Sequence, residues 1–321
     1  MSLAQSLLAM GGGVLLLLAG AEALVRGASA LAIRMGITPL VVGLTVVAIG
    51  TSSPELVVSV QAALGGQGGV AIGNVVGSNI ANLGLIVGVA VLLAPMAVDP
   101  KLIRHDMPIM LVSMGLLVLF LLDGVLARWE GGILLAGAVL YTVEGITTSR
   151  REVRETRAAE VPPEVETALA EANVGFKRHI LFVVGGVALL VYGSDLLVDG
   201  AIATATRLGV SEAVVGLTLV ALGTSLPELA TTIVAARRNA AEIALGNAIG
   251  SNIFNAFSVL GPASLTAPIA SGGVGADILT IMVGMGVLTF AFLFTGERMR
   301  RWEGVVLLVA YAGYIWWIVP R

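Results

Sequence analysis

Two carboxylates stand out in this sequence because each lies in the middle of a long apolar run. Glu55 and Glu228 occur in segments 43–56 and 216–229, which are identical at eleven of fourteen positions and are offset by 173 residues. An ionised carboxylate at mid-bilayer costs about 2.5 to 3.5 kcal/mol on insertion scales unless it faces water, a partner or a cation. Neither glutamate has a basic residue in its own run. Both are therefore predicted to be cation ligands, the alternative being that each caps a broken helix.

The residues before each carboxylate predict a break in the helix that carries it. Pro54 and Pro227 lack a backbone N–H and disfavour helical geometry at the preceding residue. Gly50 and Gly223 loosen the turn before them. A break within hydrocarbon is tolerated where it lines a cavity, and it frees backbone carbonyls that can coordinate a cation.

A second motif also occurs twice at the same offset. It reads Gly-Asn-x-x-Gly-Ser-Asn-Ile-x-Asn and spans residues 73–82 and 246–255. Ser78 and Asn82 are four residues apart, as are Ser251 and Asn255, so each pair shares one helical face. Hydroxyl, amide and carboxylate oxygens suit a hard cation such as calcium, whereas zinc or copper would favour histidine or cysteine. Helix packing explains the glycines and the first asparagine of each copy equally well.

The composition places these motifs in a membrane. The chain has 321 residues, of which 57% are hydrophobic and 12% charged, with a mean hydropathy of +0.98. Soluble domains carry about a quarter charged residues. The sequence has no basic or aromatic-basic patch that would indicate nucleic-acid binding. It also has no nucleophile–base pair or metal triad that would indicate an enzyme. The partners that the sequence implies are the lipid bilayer and small cations, with no protein partner and no cofactor.

Apolar runs of the length that a bilayer requires predict an all-α polytopic membrane protein of about ten transmembrane helices. The predicted first five-helix repeat spans residues 1–148 and the predicted second repeat spans residues 178–321. Residues 149–177, which are rich in charge and proline, are predicted to form a cytoplasmic linker between them. The predicted spans are 3–35, 37–64, 70–93, 107–122, 129–148, 179–208, 211–236, 241–265, 275–294 and 302–318.

The odd number of spans in each repeat predicts that the second repeat enters the membrane inverted relative to the first, as in many secondary transporters. Lysine and arginine counts in the connections then set the orientation. With both termini extracellular, fourteen basic residues lie on the cytoplasmic side and three outside. The fourteen are Arg34, Lys101, Arg104, Arg150, Arg151, Arg154, Arg157, Lys177, Arg178, Arg237, Arg238, Arg298, Arg300 and Arg301.

The long first and sixth spans carry charges of their own. Glu22 and Arg26 are four residues apart, which predicts an ion pair on one helical face. The corresponding residues of the second repeat, Asp195 and Asp199, are both acidic, so they are candidates to line an outer cation entrance.

The paired motifs Gly-Thr-Ser-x-Pro-Glu and Gly-Asn-x-x-Gly-Ser-Asn resemble the two alpha-repeats of the cation/calcium antiporter superfamily, and of its prokaryotic sodium/calcium exchanger branch in particular. The resemblance covers nearly the whole chain, with five plus five spans, a cytoplasmic linker and both motifs in both halves. It implies a multi-pass protein of the prokaryotic plasma membrane.

The resemblance also implies roles for individual residues. Calcium would be bound by Glu55, Glu228 and the carbonyls of Thr51 and Thr224. Sodium would be bound in one half by the Ala48 carbonyl, Ser52 and Ser78, and in the other by the Ala221 carbonyl, Ser225 and Ser251. Asn82 and Asn255 would complete the centre. Some prokaryotic relatives have aspartate at the position of Asn255, so this chain departs from them in central charge.

The implied function is a secondary antiporter in which calcium leaves the cell as sodium enters, with the long first and sixth spans as the moving pair. Magnesium as cargo, or protons or potassium as driver, are the nearest alternatives. A cation channel is a different class, but channels usually assemble identical pore elements around an axis, whereas these two repeats complete one site within one chain.

Overall fold

The computed structural model describes residues 2–159, 176–207, 221–296 and 298–318. Helices make up nearly all of it. Those of the first half are α1 (Leu3–Met35), α2 (Pro39–Thr51), α3 (Ser53–Leu64), α4 (Gly68–Leu93), α5 (Leu102–Phe120) and α6 (Arg128–Ala159). Those of the second half are α7 (Phe176–Arg207), α8 (Ala221–Thr224), α9 (Leu226–Arg237), α10 (Ala241–Thr266), α11 (Ala276–Phe294) and α12 (Arg301–Ile318).

The prediction of an all-α polytopic membrane protein is confirmed. Seven helices in the described ranges are long and apolar enough to cross a membrane, or eight if α2 and α3 form one bent span. The remaining two of the ten predicted spans stay a prediction. They correspond to α12 and to 211–236, of which residues 211–220 lie outside the described residues.

The predicted linker 149–177 begins inside a helix. Helix α6 continues without a break to Ala159, and α7 already begins at Phe176. Charged side chains prolong α6 as a polar extension, in which Arg151 donates to Glu155 at 2.8 Å one helical turn away. The rest of the predicted linker, 160–175, lies outside the described residues.

The 173-residue offset holds for the elements as well as for the motifs. Helix α3 (Ser53–Leu64) corresponds to α9 (Leu226–Arg237), and α4 (Gly68–Leu93) to α10 (Ala241–Thr266), each with both ends displaced by 173. The two-residue strands β1 (Met96–Ala97) and β2 (Val125–Leu126) correspond in the same way to β3 (Ile269–Ala270) and β4 (Arg298–Met299).

The strands tie the two halves together. Strand β1 pairs antiparallel with β4, Met96 opposite Met299, and β2 pairs antiparallel with β3, Val125 opposite Ala270. Each pair joins one strand of the first half to one of the second, and the offset converts one pair into the other. Backbone hydrogen bonds therefore join the halves in two equivalent places.

The helices that carry the second motif lie at the centre. The most apolar windows of α4 and α10 are 78% and 94% buried inside the protein, compared with 39% for α1 and 22% for α7. Both central helices widen into a π-helical turn, Asn82–Ile86 in α4 and Asn255–Val259 in α10. Such turns often occur at functional sites, and each begins at one of the predicted asparagine ligands.

The predicted helix breaks are present in both halves. Helix α2 ends at Thr51 and α3 begins at Ser53 after a bend of 47°. The residue between them, Ser52, has φ −84° and ψ 10°, and its counterpart Ser225 between α8 and α9 has φ −88° and ψ 3°. The proline in the first turn of each following helix needs no N–H partner there, which is why the new helix can begin at that point.

Helices α1 and α7 pack closely along a stripe of glycines. A Cβ added at Gly13 would lie 2.7 Å from the carbonyl oxygen of Gly193, and one at Gly20 would lie 2.8 Å from that of Gly186. The partner number falls as the residue number rises, so the helices are antiparallel. Spacing by seven residues keeps the glycines on one face and allows the backbones to touch.

We expect Gly186→Ala to lower the melting temperature of the purified protein in detergent, because the new methyl group would lie 2.7 Å from the Leu24 backbone nitrogen. Overpacking of this kind costs about 1 to 3 kcal/mol. The matched control is Gly185→Ala, whose methyl group would meet nothing within 4 Å. That variant should melt at or slightly above the wild-type temperature, since alanine favours helix. Equal melting temperatures for the two variants would contradict the glycine packing.

Candidate cation-binding site

Both predicted carboxylates are completely buried at the beginning of a helix. Glu55 lies in the first turn of α3 and Glu228 in the first turn of α9, and both are 0% exposed. The unpaired N–H groups of a helix N-terminus place partial positive charge next to each carboxylate. This partial charge helps to stabilise each buried carboxylate, but it is smaller than the full positive charge of a bound cation.

Each carboxylate is hydrogen-bonded by a serine from the other half of the chain. Ser52 donates its hydroxyl to Glu228 Oε1 at 2.7 Å, and Ser225 Oγ lies 3.5 Å from Glu55 Oε1. Ser225 Oγ also lies 3.2 Å from Ser78 Oγ. The helix breaks thus place the hydroxyl of one half beside the carboxylate of the other, and the two halves build one site.

Several buried oxygens around these carboxylates have no hydrogen-bond partner among the described residues. A buried polar group left unpaired costs about 1 to 3 kcal/mol, so their concentration within the predicted ligand set indicates a place for cations. The atoms are Glu55 Oε2, Glu228 Oε2, Ser251 Oγ, Asn82 Oδ1 and Asn255 Oδ1.

The serine at each break donates its backbone N–H to a carbonyl of the preceding turn. The Ala48 carbonyl accepts from the backbone N–H of Ser52 at 2.9 Å, so the break does not leave it without a partner. In the second half, the N–H of Ser225 donates to the Leu222 carbonyl at 3.2 Å.

The two predicted threonine ligands have their hydroxyls turned toward asparagines of the other half. Thr51 Oγ1 donates to Asn247 Oδ1 at 3.1 Å, and Thr224 Oγ1 donates to Asn74 Oδ1 at 3.2 Å. These bonds involve only the threonine side chains, whereas the predicted role in calcium binding belongs to the threonine carbonyls.

The site is rich in oxygen and poor in charge. Within the described ranges no group of three or more His, Cys, Asp or Glu could hold a metal ion. Two carboxylates with hydroxyl, amide and carbonyl oxygens form a donor set of hard character, which suits alkali and alkaline-earth cations rather than transition metals.

Sequence reasoning missed two residues that touch this region. Ser194 of α7 donates its hydroxyl to the Gly223 carbonyl at the second break, where the first half has Ala21 in the equivalent position. Asn79 accepts from Asn255 Nδ2 at 3.2 Å. For Ser194 the available signal was that the second repeat has a serine where the first has Ala21. For Asn79 the signal was its occurrence in both copies of the motif.

The predicted ion pair of α1 is confirmed and has a third member. Arg26 Nη2 lies 2.6 Å from Glu22 Oε1, and Arg238, directly after α9, also binds Glu22. Glu22 therefore connects α1 to the second half. The expectation for Asp195 and Asp199 at an outer entrance stays a prediction.

Comparisons with known proteins find similarity over nearly the whole chain. The family model described as sodium/calcium exchanger protein matches residues 5–144 and 178–319. The chain is 39% identical over 311 residues to the putative antiporter CaxA of Alkalimonas amylolytica, covering 94% of this chain and 95% of the relative. It is 36% identical to the sodium/calcium exchanger MaX1 of Methanosarcina acetivorans, covering 94% and 95%.

Solved structures of the sodium-calcium exchanger NCX_Mj have the same fold. The structure soaked with zero sodium and calcium superposes with a TM-score of 0.84 at 29% identity, covering 98% of both chains. The structure soaked with 10 mM sodium and zero calcium superposes with a TM-score of 0.83, covering 98% of this chain and 99% of the other.

We expect calcium to raise the melting temperature of the wild-type protein and to have little effect on Glu55→Gln or Glu228→Gln. A ligand at one hundred times its dissociation constant stabilises by about 2.7 kcal/mol. With a chelator present, both variants should melt at or above the wild-type temperature, because glutamine removes a buried charge at nearly constant shape.

The control for this measurement is Glu130→Gln. Glu130 is a buried acid that accepts from the Ala127 N–H at the beginning of α6, away from both breaks. This variant should retain the calcium-dependent shift. A full shift in Glu55→Gln or Glu228→Gln would remove these carboxylates from the cation site.

Proposed function

The chain is a member of the sodium/calcium exchanger protein family, and from this premise we propose that it is a secondary antiporter that extrudes calcium as sodium enters, by alternating access. The observation that carries the proposal is the reciprocal arrangement of the two buried carboxylates. Each is held by a serine of the other half, so one site forms where the halves meet.

Charge balance explains how the two ions are coupled. Two carboxylates neutralise one calcium ion or two sodium ions, so the two loads compete for the same negative charge. Competition at overlapping sites makes release of one ion a condition for binding of the other. The proposed ligands are Glu55, Glu228, Ser52, Ser225, Ser78, Ser251, Asn82, Asn255 and the carbonyls of Thr51, Thr224, Ala48 and Ala221.

The proposed architecture is ten spans in two inverted repeats. The identical offset of helices and strands supports the repeat, and five spans per repeat would invert the second copy. The strand pairing supports a two-fold relation between the halves, because β1–β4 and β2–β3 are equivalent pairs that each join one strand of either half.

The proposed moving element is the α1–α7 pair. Its position is asymmetric with respect to the two breaks. A Cβ at Gly50 would lie 2.7 Å from Val187, and the contact at Gly223 is to Val198, so α7 approaches both breaks. In a symmetric arrangement α1 would make one of these contacts. The glycine contacts lie between α1 and α7 and hold them together as one unit. Movement of this off-centre unit between two positions would open the site to one side of the membrane at a time.

We propose that the protein lies in the prokaryotic plasma membrane with both termini extracellular. The basic residues of the connections support this orientation, because fourteen would lie on the cytoplasmic side and three outside.

Replacement of either carboxylate should abolish sodium-driven calcium uptake into inverted membrane vesicles. Glu55→Gln or Glu228→Gln leaves a single negative charge, which cannot neutralise a divalent ion. The Glu130→Gln variant serves as the control and should transport calcium at the wild-type rate. Unchanged flux in either glutamine variant would contradict the site assignment.

The driving ion can be determined in proteoliposomes with calcium-45, by imposing sodium, potassium and proton gradients separately. We expect flux with the sodium gradient alone, because the family model and the named exchanger among the relatives both specify sodium and calcium. Calcium flux driven by a potassium or proton gradient would identify that ion as the driver instead of sodium. Competition by magnesium without calcium transport would identify magnesium as the cargo. Single-channel currents would indicate a channel.

We expect Asn255→Asp to change the sodium dependence of calcium flux or its pH profile. The substitution adds a third carboxylate, which raises the negative charge of the site and titrates with pH. Asn239→Asp makes the same chemical change on an exposed turn and should leave both curves unchanged. Identical curves for Asn255→Asp and wild type would show that the charge at this position is immaterial.

A further inference from the structure

We infer that Asn74 and Asn247 are positioning residues which brace the helix break of one half against the carboxylate helix of the other, and which are not themselves ion ligands. The inference rests on the proposed function, because it assigns them a task within the same cation site. It decides between the two roles that the sequence left open for these asparagines, ion binding and helix packing.

Asn74 forms hydrogen bonds within the protein through both its amide nitrogen and its amide oxygen. Its Nδ2 donates to the backbone carbonyl of Glu55 at 3.3 Å and to Ser59 Oγ at 3.0 Å. Its Oδ1 accepts the hydroxyl of Thr224 at 3.2 Å. Both N–H groups are bonded to the carboxylate helix of the first half, and the oxygen is bonded to the break of the second half.

Asn247 repeats this arrangement in the opposite sense. Its Nδ2 lies 3.4 Å from the Glu228 carbonyl and 3.0 Å from Thr232 Oγ1, and its Oδ1 accepts from Thr51 Oγ1 at 3.1 Å. Six contacts thus recur in equivalent pairs at residues 173 apart, which is strong evidence that the arrangement is specific.

Chemistry determines which way each amide faces. A backbone carbonyl is only an acceptor, so the nitrogen must face Glu55 or Glu228, and the oxygen must face the threonine hydroxyl. The asparagine oxygen is therefore directed to a protein donor. The threonine hydroxyl is the donor in this bond, and the predicted role of each threonine in calcium binding belongs to its backbone carbonyl.

Together the two braces close a ring around the site. The ring runs from the Glu55 helix through Asn74 to Thr224, on to the Glu228 helix, and back through Asn247 to Thr51. It fixes the separation of the two carboxylate helices and the position of both threonine carbonyls. Discrimination between small cations depends on cavity size and ligand placement, so loss of a brace should weaken calcium binding while the ligands remain present.

Thr224→Val tests this directly, because valine has the shape of threonine and keeps the backbone carbonyl but lacks the donor. We expect the calcium concentration for half-maximal sodium-driven flux in proteoliposomes to rise about tenfold, the effect of one lost buried hydrogen bond. Thr224→Ser restores the donor and should recover most of that affinity. Thr289→Val is the control, since among the described residues that buried hydroxyl donates only to the Met285 carbonyl within its own helix.

A double-mutant cycle separates positioning from general packing. If Asn74 and Thr224 act through the bond between them, Asn74→Leu combined with Thr224→Val should raise the half-maximal calcium concentration no further than the more severe single variant. Effects that multiply would overturn the inference. The equivalent pair Asn247 and Thr51 supplies a second cycle if a variant of the first pair does not fold, as judged by its melting temperature in chelator.

Failure of the inference can be distinguished from failure of the proposed function. If Glu55→Gln abolishes calcium flux but Thr224→Val behaves like Thr289→Val, the braces are dispensable and the inference alone fails. If Glu55→Gln transports calcium normally, the proposed site itself fails. Recovery in Thr224→Ser with loss in Thr224→Val supports both.

Discussion

The burial of two carboxylates in an apolar bundle is the constraint on which this structure depends. Two like charges that share a low-dielectric site repel each other, and removal of each from water is costly. The protein places both at helix N-termini and surrounds them with neutral oxygens. It also gives each a serine donor from the opposite half. Neither half holds its carboxylate alone, so the site exists only when the halves are joined.

The rest of the fold maintains that junction. Central helices α4 and α10 bring the asparagine and serine motifs to the middle, and the paired strands link the halves at two equivalent places. Around this centre the repeat is not perfect. Ser194 replaces Ala21, and Arg238, which binds Glu22, replaces Gly65. These differences give α1 and α7 polar contacts with the second half that have no counterpart at Ala21 and Gly65.

Local features of the fold could be read from the sequence. The breaks at Ser52 and Ser225 follow from a glycine and a proline close together, and the Glu22–Arg26 pair follows from helical spacing. The extension of α6 to Ala159 was not predicted, because its charges indicate exposure to water but do not exclude a helix. The π-helical turns at Asn82 and Asn255 were not predicted either, since the preference for one extra residue in a turn comes from packing in the centre of the bundle.

The sequence by itself determined the membrane class, the helix breaks and the oxygen-rich chemistry, because each depends on composition or on residues within a few positions of one another. It also determined the repeat, because the two copies can be aligned at an offset of 173 residues without any structure. Only the tertiary structure decided which oxygens meet. Ser52 binds Glu228 and Asn74 binds Thr224 across separations of 176 and 150 residues, and such pairings are set by how helices pack. The same packing turns the amides of Asn74 and Asn247 toward protein groups. These residues have the composition of ligands, and their hydrogen bonds make them braces.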